Sequence, residues 1–269
     1  MIKSITKRGI RTAAKTGFVA ADVFAKRMPG PRLLIYHQVG AGLGRQMEVT
    51  PAHFHRHVDW LVENGQVVGL DHALANRGHP DADRQFVLTF DDGYEDVYEA
   101  AWPVLRDRQL PFVLYLTTDP VESRRSLTPG GKAEPLTWGQ VDEMLESGLM
   151  TLGAHTHRHL ELGAMKVPAI EEEIELSNDL IIKRTGVTPV HFAYPWGYWS
   201  KVAHPVIQAA YKTATLGSGA PITTDSDLLK LNRVPIQLSD GTFFFKRKMN
   251  TGLVVEDKLR RRLARYDGP

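Results

Sequence analysis

The sequence predicts an α/β fold whose parallel strands close, or nearly close, into a barrel. Short apolar runs of strand length alternate with helical patterns about eight times, and that alternation specifies a parallel sheet. At 269 residues and 42% hydrophobic composition the chain can bury one large core, and its length favours a barrel over an open sheet. A third observation agrees: acidic residues and histidines stand at the carboxyl ends of the apolar runs, where the strand-to-helix loops of a parallel protein gather.

Residues 2–27 have modest helical amphipathicity, with Ile5, Ile10 and Phe18 among basic residues, until Met28-Pro29-Gly30-Pro31 breaks the pattern. Residues 1–31 therefore read as a basic N-terminal segment, 32–240 as the domain and 241–269 as a basic C-terminal segment. Leu33-Leu34-Ile35-Tyr36 is a strand ending in His37. Thr50 and Pro51 supply the cap and first position of a helix running to Asn64. His53, His55 and His57 are splayed around that helix by their spacing, so they read as surface residues and not as a joint metal site. Val67-Val68-Gly69-Leu70 suggests a short strand, with Asp71 capping a brief helix after it.

Phe86-Val87-Leu88 runs into Thr89-Phe90-Asp91-Asp92-Gly93, and a helical pattern follows over 94–108. Residues 111–116 form another buried-strand run, and 119–136, rich in Pro, Gly, Ser and charge, read as a long loop. Thr137 and Gln140 have the spacing of a capping box that opens a helix to Ser147. The strand Met150-Thr151-Leu152-Gly153-Ala154 ends in His155-Thr156-His157-Arg158-His159. Residues 168–185 are the clearest helix: Ile170, Ile174 and Ile181 share a face, and Glu171-Glu172-Glu173 suit the positive end of its dipole. A strand over 190–194 leads to Pro195-Trp196-Gly197, Ser200 caps a helix to Ala210, and 213–216 and 231–236 are the last strands.

Composition narrows the function. Without cysteine there is neither a disulfide framework nor a thiolate metal site, so a metal would need histidine and carboxylate. Residues 1–32 carry eight Lys/Arg against one acid and 241–269 eight against three, leaving the middle of the chain acidic. That distribution argues against a nucleic-acid binder, whose charge should line its binding face, and fits peripheral contact with an anionic membrane through the basic ends. No run is long and apolar enough for a transmembrane span, and the N-terminus lacks the apolar core of a signal peptide, so a cytoplasmic or membrane-peripheral location is expected over export.

His155 and His159 stand four apart at the end of one strand, and Asp92 ends another. In one barrel these ends share a rim, and two imidazoles plus a carboxylate with open positions make a catalytic site of the zinc type. The sequence here resembles the polysaccharide deacetylases of carbohydrate esterase family 4, the NodB-homology family. Residues 89–93 are similar to its first motif, and 155–159 to its second, a histidine, Ser or Thr, two free positions and a histidine. The resemblance covers about residues 32–236 and implies a distorted or incomplete (β/α) barrel of about seven to eight parallel strands. It implies Asp91 as the base that activates metal-bound water, and Asp92, His155 and His159 as ligands of one divalent metal, zinc with cobalt or nickel as alternatives.

The chain departs from the family pattern twice. Ala193 occupies the place of the usual arginine before Tyr194-Pro195-Trp196-Gly197. The Trp196 backbone N–H remains available as an oxyanion donor, and Arg233 is the candidate for orienting Asp91. The usual late Leu-x-His is absent, and Tyr36-His37 resembles the N-terminal substitute in members similar to poly-N-acetylglucosamine deacetylases, making His37 the candidate general acid. The expected activity is metal-dependent removal of N-acetyl groups from an N-acetylated polysaccharide or glycoconjugate, and an acidic body suits a substrate that becomes cationic as acetyl groups leave. A small-molecule amidase or deformylase on the same barrel is one alternative. A glycan-binding protein without catalysis is another, against which the paired Asp91 and Asp92 argue.

Overall fold

A computed structural model of the protein describes residues 29–127 and 133–251. Expectations for the N-terminal basic segment to residue 28, the stretch 128–132 and the tail from 252 lie outside the described residues. In chain order the first half contains β1 (Arg32–Tyr36), β2 (Gln38–Val39), β3 (Glu48–Val49), α1 (Pro51–Asn64), β4 (Gln66–Val67), α2 (Leu70–Ala75), β5 (Gln85–Asp92), α3 (Trp102–Asp107) and β6 (Phe112–Leu116). The second contains α4 (Thr118–Ser123), α5 (Trp138–Glu146), β7 (Met150–Ala154), α6 (Val167–Thr185), β8 (His191–Ala193), α7 (His204–Ala210), β9 (Thr213–Leu216), β10 (Leu231–Asn232), β11 (Val234–Pro235) and α8 (Gly241–Thr251).

The main sheet runs β10-β9-β8-β7-β6-β5-β1-β11, and its ladders are parallel. The two ends of that order are consecutive in sequence. The predicted last strand over 231–236 is broken at Arg233: Leu231 pairs with Thr215 on β9, and Val234 pairs with Leu34 on β1. One residue thus bridges the seam of a nearly closed barrel, the distorted barrel that the sequence predicts.

Side-chain alternation along the strands sorts the core into two layers. Leu33, Val87, Val113, Tyr115 and Ala193 share an inner cluster that Leu70, Ala73 and Leu74 of α2 close from one end. Their neighbours Leu34, Phe86, Leu88, Phe112, Leu114 and Phe192 pack in the outer layer with the helices. The inner register, extended to the strand ends, passes through Thr89 and Asp91 on β5, Ile35 and His37 on β1, and Gly153 and His155 on β7. Gly153 is needed there because a Cβ would lie 2.6 Å from the Tyr115 ring.

Several helices form as their local signals dictate. Thr50 caps α1, Thr137 and Gln140 make a reciprocal capping box on α5, and Gly186 ends α6 in the left-handed conformation. Other expectations are corrected. The helix predicted over 94–108 begins with a π-helical turn at Val97–Ala101, and the long loop contains α4. β4 is only Gln66–Val67, and Asp71 lies in the first turn of α2, capped by Gly69. No helix among the described residues is long and apolar enough to cross a membrane.

His57 is buried, not on the surface. Its ring stacks on Phe245 of α8 at 3.8 Å, and its Nδ1 lies 3.2 Å from the Tyr36 hydroxyl. Phe243-Phe244-Phe245 lies on α8, with Phe243 exposed and Phe245 in the core. Lys248, expected to face an anionic surface, is buried and donates to Asp240 Oδ2 and Pro235 O, both at 2.8 Å. Arg32, buried at the start of β1, donates to Asn250 O at the far end of α8 and to Asp83 O. The C-terminal basic segment thus begins with a helix fastened to β1 and β11, the strands on one side of the seam.

Burial lowers the pKa of His57 to about 3, more than nearby Asp240 can offset. A histidine depressed in the folded state contributes stability above its unfolded pKa of about 6.5 and loses it as pH falls towards the folded value, by up to about 1.4 kcal/mol per pH unit. Urea unfolding at pH 7.5 and pH 5 should therefore show a larger acid-induced loss for the wild type than for His57→Gln, by about 2 kcal/mol. Equal losses would mean that His57 does not govern this pH dependence.

Candidate active site

The carboxyl ends of β1, β5, β7 and β8 surround a cleft of about 690 Å³ lined by every site residue identified from the sequence: His37, Asp91, Asp92, His155, His159, Trp196 and Arg233. Asp91 and Asp92 are adjacent on a strand and would normally face opposite sides of the sheet. Asp92 adopts a φ of 74°, a left-handed value that rotates its side chain from that alternation, and both carboxylates line the cleft.

Arg233 clamps Asp91. Its Nη1 donates to Asp91 Oδ1 at 2.6 Å and its Nη2 to Oδ2 at 2.7 Å. Nη1 also donates to Thr89 Oγ1 at 3.0 Å and Nε to Leu216 O at 3.4 Å, while the guanidinium lies 5.0 Å from the Tyr115 ring centre. Burial alone would raise the pKa of Asp91, but Arg233, aided by His155 and His37, holds it below the usual carboxylate value. The side chain is therefore an ionised, oriented carboxylate.

Asp92 Oδ1 faces His155 Nε2 at 3.4 Å and His159 Nε2 at 3.3 Å. It is buried and makes no hydrogen bond. The three ligand-type atoms lie within 4.8 Å of one another. His155 Nδ1 sits 2.7 Å from Ala193 O, which assigns the proton to Nδ1 and directs the Nε2 lone pair to the cleft. An orphaned carboxylate oxygen between two imidazole nitrogens fits a divalent cation, and two nitrogens plus one oxygen suit zinc. Burial pushes the Asp92 carboxyl up, but His159, His155 and His37 more than reverse it. His155 is raised because Asp92 and Asp91 outweigh its burial, whereas burial dominates at His159 and lowers it.

The loop between the two histidines is itself strained and supported. Thr156 and His159 have φ of 66° and 58°, and the Thr156 hydroxyl accepts from His159 N at 3.0 Å. Thr118 and Asp119 of α4 donate their backbone N–H groups to Thr156 O and His157 O. His157 takes no part in the cluster; its Nδ1 is 2.9 Å from the Thr118 hydroxyl. Across the cleft, Trp196 has a φ of 63°, is 63% exposed and lies 5.2 Å from the His159 ring. His37 Nδ1 is buried without a hydrogen-bond partner.

Sequence reasoning missed Tyr94, which lines the cleft beside Asp92; burial and then the Asp92 charge raise its phenol pKa. It also missed Glu173. That residue is fully buried and accepts from Arg158 N at 2.8 Å and Arg158 Nε at 2.5 Å, tying α6 to the loop between His155 and His159. The signal was present: Glu173 falls in the buried stripe Ile170, Ile174, Ser177 and Ile181.

The family model described as polysaccharide deacetylase matches residues 78–214. The Bacillus subtilis protein YxkH, a polysaccharide deacetylase by name, is 24% identical over 242 residues, covering 87% of this chain and 81% of its own. The poly-beta-1,6-N-acetyl-D-glucosamine N-deacetylase of Escherichia coli K12 is 33% identical over 126 residues, 42% of this chain and 18% of that enzyme. The chain therefore spans under a fifth of the Escherichia coli enzyme's length. The structure of IcaB from Ammonifex degensii has the same fold, with a TM-score of 0.71 at 21% identity over 84% of this chain and 99% of that one.

Arg158→Ala should leave the buried Glu173 with only the backbone N–H as partner, at a cost of about 2 kcal/mol for a lost charged hydrogen bond. Chemical denaturation measures this directly. A change below about 0.5 kcal/mol, the range of ordinary surface substitutions, would show that Glu173 does not depend on Arg158.

Proposed function

Starting from the fact that this chain belongs to the polysaccharide deacetylase family, we propose that it is a divalent-metal-dependent hydrolase that removes N-acetyl groups from an N-acetylated glycan. The observation that carries this reading is the placement of the Asp92, His155 and His159 cluster beside an Arg233-clamped Asp91 in one cleft. The deacetylase activity named for the Escherichia coli relative supports a β-linked N-acetylglucosamine polymer as the first substrate to try.

Asp92, His155 and His159 would hold the cation, which when bound supplies Lewis acidity towards the amide carbonyl and lowers the pKa of water. The remaining roles belong to side chains and backbone. Asp91 accepts the proton of the attacking water; Arg233 fixes the direction of its oxygens and keeps them ionised. A base acidified in this way is weak, so its value lies in orientation more than in proton affinity. The N–H at Trp196, in the turn after β8, donates to the carbonyl oxygen as it becomes an oxyanion. His37 stands at the end of β1 and protonates the departing amine. The exposed face of Trp196 provides a flat apolar surface for a sugar ring.

His159→Ala should lose bound metal and activity together, as read by metal analysis and acetate release from N-acetylglucosamine oligomers. Full occupancy in that variant would remove His159 from the ligand set. Asp91→Asn and His37→Ala should each lower kcat by at least ~10²-fold, the lower end for general acid–base catalysis, with metal content unchanged. An acetylated substrate with a good leaving group should rescue His37→Ala but not Asp91→Asn, because only the amine's departure needs the acid. Equal losses on both substrates would make His37 a binding or structural residue.

A further inference from the structure

The charges that face the cleft do not match the acidic body around them. Between residues 33 and 240 acids outnumber Lys and Arg, yet the acids lining the cleft are Asp91 and Asp92 alone among the described residues. Asp91 is paired with Arg233, and Asp92 belongs to the cation cluster. Three further arginines line the opening, each from a different loop: Arg45 between β2 and β3, Arg125 just after α4, and Arg158 between the two clustered histidines. Arg45 is exposed, and the side chains of Arg125 and Arg158 are 63% and 43% exposed.

The partners of the last two stand outside the opening. Arg125 pairs with Asp119, and Arg158 with Glu173 and, more loosely, Glu172 at 4.0 Å; none of these acids lines the cleft. Arg158 commits Nε to Glu173 and holds Nη2 only loosely against Glu172, and the residue lines the opening. Guanidinium groups pre-oriented from behind by carboxylates are suited to binding oxyanions through several charge-assisted hydrogen bonds. A cationic glycan would meet this rim unfavourably, which reverses the expectation drawn from the acidic body.

Resting on the deacetylase reading, we propose that the substrate carries an oxyanion, phosphate or carboxylate, at or beside the N-acetylated sugar, and that Arg45, Arg125 and Arg158 bind it. The test compares three substrates on the metal-loaded full chain: methyl N-acetylglucosaminide, N-acetylglucosamine 1-phosphate, and a disaccharide of glucuronic acid and N-acetylglucosamine. At low salt, kcat/KM from acetate release should favour at least one charged substrate over the neutral one by about tenfold, and the two charged arms distinguish phosphate from carboxylate. The preference should shrink towards one in 0.5 M NaCl and in the Arg45→Gln/Arg125→Gln variant, whose melting temperature checks its folding. Turnover of the neutral sugar with no charged preference would overturn the anion proposal while leaving the deacetylase reading intact. A preference insensitive to both salt and the variant would overturn the arginine assignment. If none of the three releases acetate, the deacetylase reading fails for these sugars. Isothermal titration calorimetry with the same compounds then decides the proposal separately: tighter binding of a charged sugar supports it, and equal binding overturns it.

Discussion

The ion pair between Arg233 and Asp91 is the interaction on which the rest of the arrangement depends, because one residue does two jobs. Arg233 is the link between β10 and β11, so its backbone spans the barrel seam while its side chain fills the barrel interior. A buried guanidinium is tolerable only if its donors are met, and Asp91, Thr89 and Leu216 meet them. Such a pair adds little net stability, since desolvation consumes most of its Coulombic gain. Its effect is geometric: the seam cannot close without presenting Asp91 in one orientation. Support comes from outside as well, where Lys248 of α8 holds Pro235 on β11 and Arg32 holds the other end of the helix.

Backbone strain gathers around the same cleft. Asp92, Thr156, His159 and Trp196 all have positive φ, which costs non-glycine residues about 1–3 kcal/mol each in unfavourable cases. Each occurs where a strand has just ended and the chain must turn a functional group back over the rim. The strain is held by ordinary bonds, among them Thr156 Oγ1 to His159 N, the N–H groups of α4, and Glu173 behind Arg158. The helix α4 lies in a stretch whose composition reads as a loop, yet it is part of what fixes the histidine loop.

Much of the fold and the cluster was legible because it is local. Strand ends carry Asp91 and His155 by simple alternation, with Asp92 turned in beside them by its positive φ, and the capping box at Thr137 and the glycine after α6 are short-range signals. What escaped depends on distant partners. His57 looks like a surface residue until Phe245, nearly two hundred positions away, stacks on it. Glu173 looks like a dipole-compensating acid until the loop at Arg158 is folded against it. Arg233 is a candidate in the sequence because Ala193 stands in the place of the usual arginine, but the break that aims it inward is a property of the seam, which no local pattern encodes. The arginine rim likewise needs three loops brought together, and its sign opposes that of the surrounding sequence.

The contact between His155 and β8 has a different kind of consequence. The acceptor is the main-chain oxygen of residue 193, so the tautomer of His155 is independent of the side chain found there. A substitution at 193 would act through the packing of the inner cluster, where Ala193 is buried, and not through loss of the acceptor, so what the imidazole requires of that position is its height along the barrel. Sliding β8 past β7 by one residue would offer His155 a different carbonyl and turn its lone pair off target. Strand alignment, a property usually associated with folding, is here a determinant of ligand basicity.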